Sequence, residues 1–245
     1  KPAQSHRRWW TMGVSETRPI LPAYGKGCVS DLIPFLCAPR RPGTVTSVPS
    51  WMPAAVGDAD QVVLLVIDGL GWNQLDSRRH LAPALASMTG GHITTVAPST
   101  TATALTSITT GLAPGEHGLI GYRVDMGDTV MNKAELEGSG FTEAHLSGVK
   151  AMGWRAASSI AVTVGSALRA GEKLVYAYYD GVDKIAHERG FGDYYDAELR
   201  TADSLVASVI DQLTPGAVLL VTADHGQVHV GENTILLSQE VTSVL

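Results

Sequence analysis

The chain has 245 residues, carries a formal net charge of -6 and has a pI near 5.7, with 44% apolar residues. That is enough chain to bury a sizeable core in one α/β domain, and the acidic balance without a sustained basic stripe argues against a nucleic-acid scaffold. No run approaches the roughly 18 apolar residues of a membrane span, and the two cysteines, Cys28 and Cys37, form neither a zinc pattern nor a disulfide framework.

In chain order, residues 1 to 60 are rich in Pro, Gly and Ser and read as a lead-in that packs on the domain or as an arm. Lys1, Arg7 and Arg8 precede Trp9-Trp10-Thr11 and no apolar run, which is not a secretory signal, so the expected location is cytoplasmic. Val29 to Cys37 is the one amphipathic stretch of the lead-in. Cys37-Ala38-Pro39-Arg40-Arg41 resembles the C-x-P-x-R motif of sulfatases, but it precedes the first strand, and Pro42 stops any helix that it could open.

Val62-Val63-Leu64-Leu65-Val66-Ile67 is six apolar residues running into Asp68-Gly69, the signature of a buried parallel strand with a carboxylate at its carboxyl end. Open α/β sheets bind ligands at that end. Trp72 to Met88 reads as a crossover helix, reset at Pro83 and ended by Gly90-Gly91, and His92 to Val96 as a short strand. The hydroxyl-rich segment Pro98-Ser99-Thr100-Thr101 to Thr110-Gly111 has helical spacing at Ala104, Leu105 and Ile108. Its threonines either cap a helix or present a hydroxyl where free N–H groups and the positive dipole end would hold a phosphate.

Leu112 to Gly148 is rich in loop signals, with a turn at Pro114-Gly115-Glu116-His117-Gly118 in which His117 reads as a turn-stabilising residue. A helix is expected over Trp154 to Arg169 and a strand over Leu174 to Tyr179, delivering Asp180 and Asp183. Asp193 to Leu213 is the clearest helix, with Leu199, Ala202, Leu205, Val206, Val209, Ile210 and Leu213 as its apolar stripe. A strand over Val218 to Ala223 then delivers Asp224-His225-Gly226. Strands alternating with helices predict a largely parallel central sheet covered by helices on both faces, a three-layer α/β sandwich.

Carboxylates brought to one sheet edge by three strands repel one another unless a cation lies between them. Asp183 and His187, four residues apart, share a helix face, and Asp224-His225 offers adjacent oxygen and nitrogen ligands at a strand end. Carboxylate plus imidazole is a set suited to zinc or a similar divalent ion.

Four motifs in order over about residues 62–230 carry a resemblance: Leu65 to Leu70, Pro98 to Gly118, Asp183-x-x-x-His187, and Thr222-Ala223-Asp224-His225-Gly226. Together they resemble the nucleotide pyrophosphatase/phosphodiesterase branch of the alkaline phosphatase superfamily. The resemblance implies an alkaline-phosphatase-like fold over 61–245 and a hydrolase of phosphodiester or nucleotide pyrophosphate bonds acting on a small phosphate ester or nucleotide. It implies two divalent metal ions, most commonly zinc, and a phospho-threonine intermediate on Thr101, with Thr100 as its neighbour. One metal would be held by Asp68, Asp224, His225 and the Thr101 oxygen, the other by Asp183, His187 and a further histidine. The family places that histidine well downstream of Asp-His-Gly, where this sequence offers only His229, so the domain is expected to be incomplete at its C-terminal end. Hydrolysis of a phosphomonoester or phosphonate, or a metal-binding role without catalysis, are the alternatives at the same site. The loop Leu119 to Gly148 is expected to set substrate choice, with Tyr122, Trp154 and Tyr194 as packing residues.

Overall fold

The computed structural model describes residues 20–38, 47–121, 154 and 156–229. Its elements in chain order are α1 (Leu32–Cys37), β1 (Gln61–Ile67), α2 (Trp72–Ser77), α3 (Pro83–Ser87), α4 (Thr101–Thr110), α5 (Pro114–His117), α6 (Ala157–Arg169), β2 (Leu174–Tyr179), α7 (Gly181–Arg189), α8 (Asp193–Ile210) and β3 (Ala217–Thr222). The three described strands form one parallel sheet in the order β2-β1-β3, with Ile67 opposite Tyr179 and Val66 opposite Thr222. All three carboxyl ends therefore lie on one edge.

The uninterrupted apolar run of β1 is explained by its place. It is the central strand, and Val62 through Ile67 are all buried, which requires apolar side chains on both faces. Val63, Leu65 and Ile67 pack with Leu85 of α3, Ile160 and Val164 of α6, and Leu199, Val206 and Val209 of α8. Val62, Leu64 and Val66 face Leu32 of α1 and Ala104, Leu105 and Ile108 of α4, together with Val29, Met52 and Val56 from the lead-in. Helices on both faces of a parallel sheet make this the three-layer α/β architecture expected from the sequence. Each buried aliphatic side chain of β1 contributes roughly 1.5–3 kcal/mol.

The elements differ from the sequence expectation in three places. The stretch from Trp72 to Met88 is not one helix. It divides into α2, a 3-10 turn over Arg79–Leu81 and α3, because Pro83 at the first position of α3 has no N–H to continue the ladder. The Asp203 carboxylate of α8 takes up the exposed start of α3, accepting from Ala84 N at 3.2 Å and Leu85 N at 2.8 Å. His92 to Val96 is not a strand of the sheet; it makes a single parallel bridge between Thr94 and Cys28, so its partner is the lead-in. The last helix ends at Ile210, which is 39% exposed rather than part of the buried stripe. Cys37, at the end of α1, is exposed, and Pro39 to Arg41 lie outside the described residues. No helix among the described residues is long and apolar enough to cross a membrane.

Candidate active site

Asp68 follows β1 directly and is buried, its N–H donating to Tyr179 O at 2.8 Å, which extends the ladder one residue past the strand. Asp224 and His225 follow β3, and Asp183 lies in the first turn of α7, immediately after β2. Parallel register brings the three to one place. His225 Nε2 is 3.3 Å from Asp68 Oδ1, 3.6 Å from Asp224 Oδ2 and 3.9 Å from Asp183 Oδ1. Ligand atoms of Asp68, Asp183 and His225 all lie within 4.8 Å of one another.

Thr101 reaches the same point from α4, whose first residue it is. Its Oγ1 is 3.1 Å from His225 Nε2 and 3.5 Å from Asp68 Oδ1. Thr100 occupies the N-cap but makes no side-chain cap hydrogen bond; its hydroxyl meets that of Thr103 at 3.0 Å. The first-turn N–H groups of α4 thus remain unclaimed by a side-chain cap, beside the Thr101 hydroxyl, at the positive end of the helix dipole. Of the two readings of this threonine cluster, simple capping by the Thr100 side chain does not occur.

The turns are shaped by glycine at two points. Gly69 has φ +69°, and a Cβ there would stand 2.8 Å from Asp183 Oδ1 and 2.9 Å from Gln227 Nε2. Gly71 lies so close to the Asp-His-Gly turn that a Cβ on it would meet Gly226 Cα at 2.7 Å. Backbone is pressed against backbone so that the ends of β1 and β3 can converge. Gly69→Ala should therefore lower stability by about 2 kcal/mol or more, combining left-handed strain with the clash against Asp183. Denaturant midpoints of the two proteins would check it, and equal midpoints would contradict it.

Electrostatically the site is an acid pair held out of water. Burial and the neighbouring Asp224 and Asp183 carboxylates raise Asp68 to about 8, against the pull of the Tyr178 hydroxyl and His225. Burial also pushes Asp224 up to about 6, although the Gly69 and His225 N–H groups bond to its Oδ1 at 3.1 and 2.9 Å. The buried Asp224 Oδ2 has no hydrogen-bond partner among the described residues.

These groups fit a divalent cation. His225 Nδ1 lies 3.1 Å from Gly226 O, and a carbonyl can only accept, so Nδ1 carries the hydrogen and, in the neutral ring, Nε2 is the nitrogen with the lone pair. That is the tautomer of a metal-ligating histidine whose other nitrogen is fixed by a carbonyl. Three carboxyl groups aimed at one point repel one another once ionised, and either bound protons or a bound cation relieves that repulsion.

The remaining expected ligands are placed less centrally. His187 shares the α7 face with Asp183, its Nε2 3.4 Å from Asp183 Oδ1, but its side chain is 74% exposed. His229 is exposed, and Asp180 forms the N-cap of α7 rather than joining the cluster. His117 does stabilise its turn. The Leu119 N–H donates to Nδ1 at 3.1 Å, so Nε2 carries the hydrogen and donates to the buried Ser107 hydroxyl at 2.9 Å, while burial lowers its pKa. Trp154 packs on Tyr179 with ring centroids 6.1 Å apart, whereas Tyr194 is 63% exposed beneath Arg189. Tyr122 and the loop from 122 to 148 lie outside the described residues.

Four polar groups at the site went unrecognised in the sequence. Tyr178 donates to Asp68 Oδ2, Thr95 to the Asp224 carbonyl, Gln227 to Asp183 Oδ1, and Gln74 to the Gln227 carbonyl at 2.6 Å. Only Tyr178 had a legible signal: period-two alternation puts it on the face of β2 opposite to Tyr179.

A parallel α/β sheet whose carboxyl edge gathers three acids, an imidazole and a helix-start hydroxyl is an arrangement that could hold a divalent cation beside a hydroxyl. Comparison with protein-family models matches residues 62–137 and 153–241, about two thirds of the chain, to the Type I phosphodiesterase / nucleotide pyrophosphatase family. The chain belongs to that family. No curated protein matches it.

Proposed function

We propose that the protein is a zinc-dependent hydrolase of phosphodiester or nucleotide pyrophosphate bonds in small substrates, working through a phosphorylated Thr101. The observation that carries this reading is the Thr101 hydroxyl, 3.1 Å from His225 Nε2 and 3.5 Å from Asp68 Oδ1 at the open N-terminus of α4. Asp68, Asp224 and His225 would hold one cation beside that hydroxyl, and Asp183 and His187 would hold a second with a further ligand. When bound, the cations supply positive charge that lowers the hydroxyl's pKa and neutralises the phosphoryl group.

Every other part of the mechanism belongs to the chain's own residues. Threonine is a poor nucleophile at neutral pH, so its oxygen must be freed of its proton in a fixed position. Burial of Thr101 among helix and strand ends fixes it. The free N–H groups of the α4 start orient the phosphoryl oxygens. The Thr101 oxygen bonds to phosphorus as the bond from phosphorus to the leaving group's oxygen breaks, the threonine proton passing through solvent to that departing oxygen. Water then cleaves the bond between Thr101 and phosphorus, releasing the phosphoryl product and returning the hydroxyl. Tyr178 steadies Asp68 from β2 by donating to the carboxylate oxygen, Oδ2, that does not face Thr101.

The test is hydrolysis of an aryl phosphodiester beside the matching monoester, with added zinc and after chelation. Zinc-dependent cleavage that favours the diester is expected, and activity that survives exhaustive chelation would exclude the reading. Preference for the monoester would move the assignment to a phosphomonoesterase of the same superfamily.

A further inference from the structure

Gln227 follows the Asp-His-Gly turn, and its side-chain amide crosses to α7 to donate to Asp183 Oδ1. Its main-chain carbonyl accepts from the Gln74 side-chain amide of α2 at 2.6 Å. The Gln227 amide lies directly over Gly69, since a Cβ there would meet its Nε2 at 2.9 Å. Three segments that follow different strands are thus joined by two glutamine side chains: α2 after β1, the turn after β3, and α7 after β2. Asp183 is the one acid of the cluster on a helix rather than at a strand end, so the sheet register alone does not fix its carboxylate. It is also the acid farthest from His225 Nε2, at 3.9 Å.

We infer that Gln227, itself held by Gln74, is a positioning residue that sets the Asp183 carboxylate for cation binding, acting through Asp183 and not on the substrate. This inference rests on the metal-dependent reading above. An amide is suited to the task because it donates without adding charge: a lysine there would compete with the cation, and a carboxylate would add to the repulsion. Outer hydrogen-bond partners of metal ligands typically govern affinity by 10–100-fold.

The test measures zinc binding by calorimetry on the full chain and on Gln227→Ala, Gln74→Ala, Asp183→Ala and the Gln227→Ala/Asp183→Ala pair. Gln227→Ala should weaken zinc binding by about 10–100-fold, and Gln74→Ala by less in the same direction. In the Asp183→Ala background the Gln227 change should cost nothing further, because its only route to the cation has been removed. Melting in the presence of chelator should be the same for Gln227→Ala and the parent chain, which separates positioning from a general loss of fold. Should Gln227→Ala fail to fold, the Gln74→Ala variant carries the same comparison with Asp183→Ala. Affinity unaltered by either glutamine change, or lost equally with and without Asp183, overturns the inference and leaves the metal reading standing. A parent chain that takes up no zinc overturns both.

Discussion

Replacing Thr101 by alanine is expected to lower phosphodiester turnover by roughly 10³-fold or more, a barrier increase of about 4 kcal/mol, while zinc binding persists. The two readouts separate because Thr101 would supply the attacking oxygen, whereas the cation would be held mainly by Asp68, Asp224 and His225. The helix itself should survive the change. Thr101 makes no cap, alanine is a better helix former than threonine, and the core contacts of α4 come from Ala104, Leu105 and Ile108. Thr100→Ala is the control: its hydroxyl meets Thr103, so its loss should leave most activity in place. Steady-state kinetics with zinc titration on both variants checks this, and Thr101→Ala with parent-like turnover would remove the nucleophile assignment.

The second large effect concerns pH. Asp68 and Asp224 have folded pKa values of about 8 and about 6, both above the ordinary aspartate value of 3.8. Between the unfolded and folded values the native chain holds more protons than the unfolded chain, so stability falls as pH rises. The contribution is fully present below about pH 4 and fades through about pH 6 for Asp224 and about pH 8 for Asp68. For acids this deeply buried the loss is on the order of several kcal/mol. A divalent cation reverses the trend by favouring the ionised acids, so binding should tighten with pH and release protons. At a hundredfold excess over its dissociation constant it would restore about 2.7 kcal/mol.

The measurement is denaturant unfolding at pH 5 and pH 8, in chelator and in zinc, for the parent chain and for Asp68→Asn. The asparagine variant removes the raised acid and isolates its share from that of other titrating groups. In chelator the parent chain should lose stability between the two pH values more steeply than Asp68→Asn. Equal slopes would show that the acid pair is not under this strain.

How the sheet edge was legible in the sequence, and where it was not, follows from the kind of interaction at stake. The run Val62 to Ile67 announced a central strand because only a strand buried on both faces tolerates an unbroken apolar series, and Asp68 at its end was then the natural ligand position. The alternation of strands with amphipathic helices such as Leu199 to Val209 carried the layered fold in the same way, since periodicity is a local property. The candidate site was legible as residue types at strand ends, and Asp68, Asp183, Asp224, His225 and Thr101 do converge. What the sequence could not hold was set by long-range packing. The pairing of Thr94 with Cys28, the capture of α3 by Asp203, the exposure of His187, and the Gln74–Gln227–Asp183 chain depend on partners 44 to 153 residues apart or on which helix face meets water. Local pattern fixed which residues stand at the carboxyl edge, because burial and periodicity act over a few residues. Only the tertiary structure decided which oxygens and nitrogens face one another there, because hydrogen-bond geometry and desolvation arise between segments that the sequence keeps far apart.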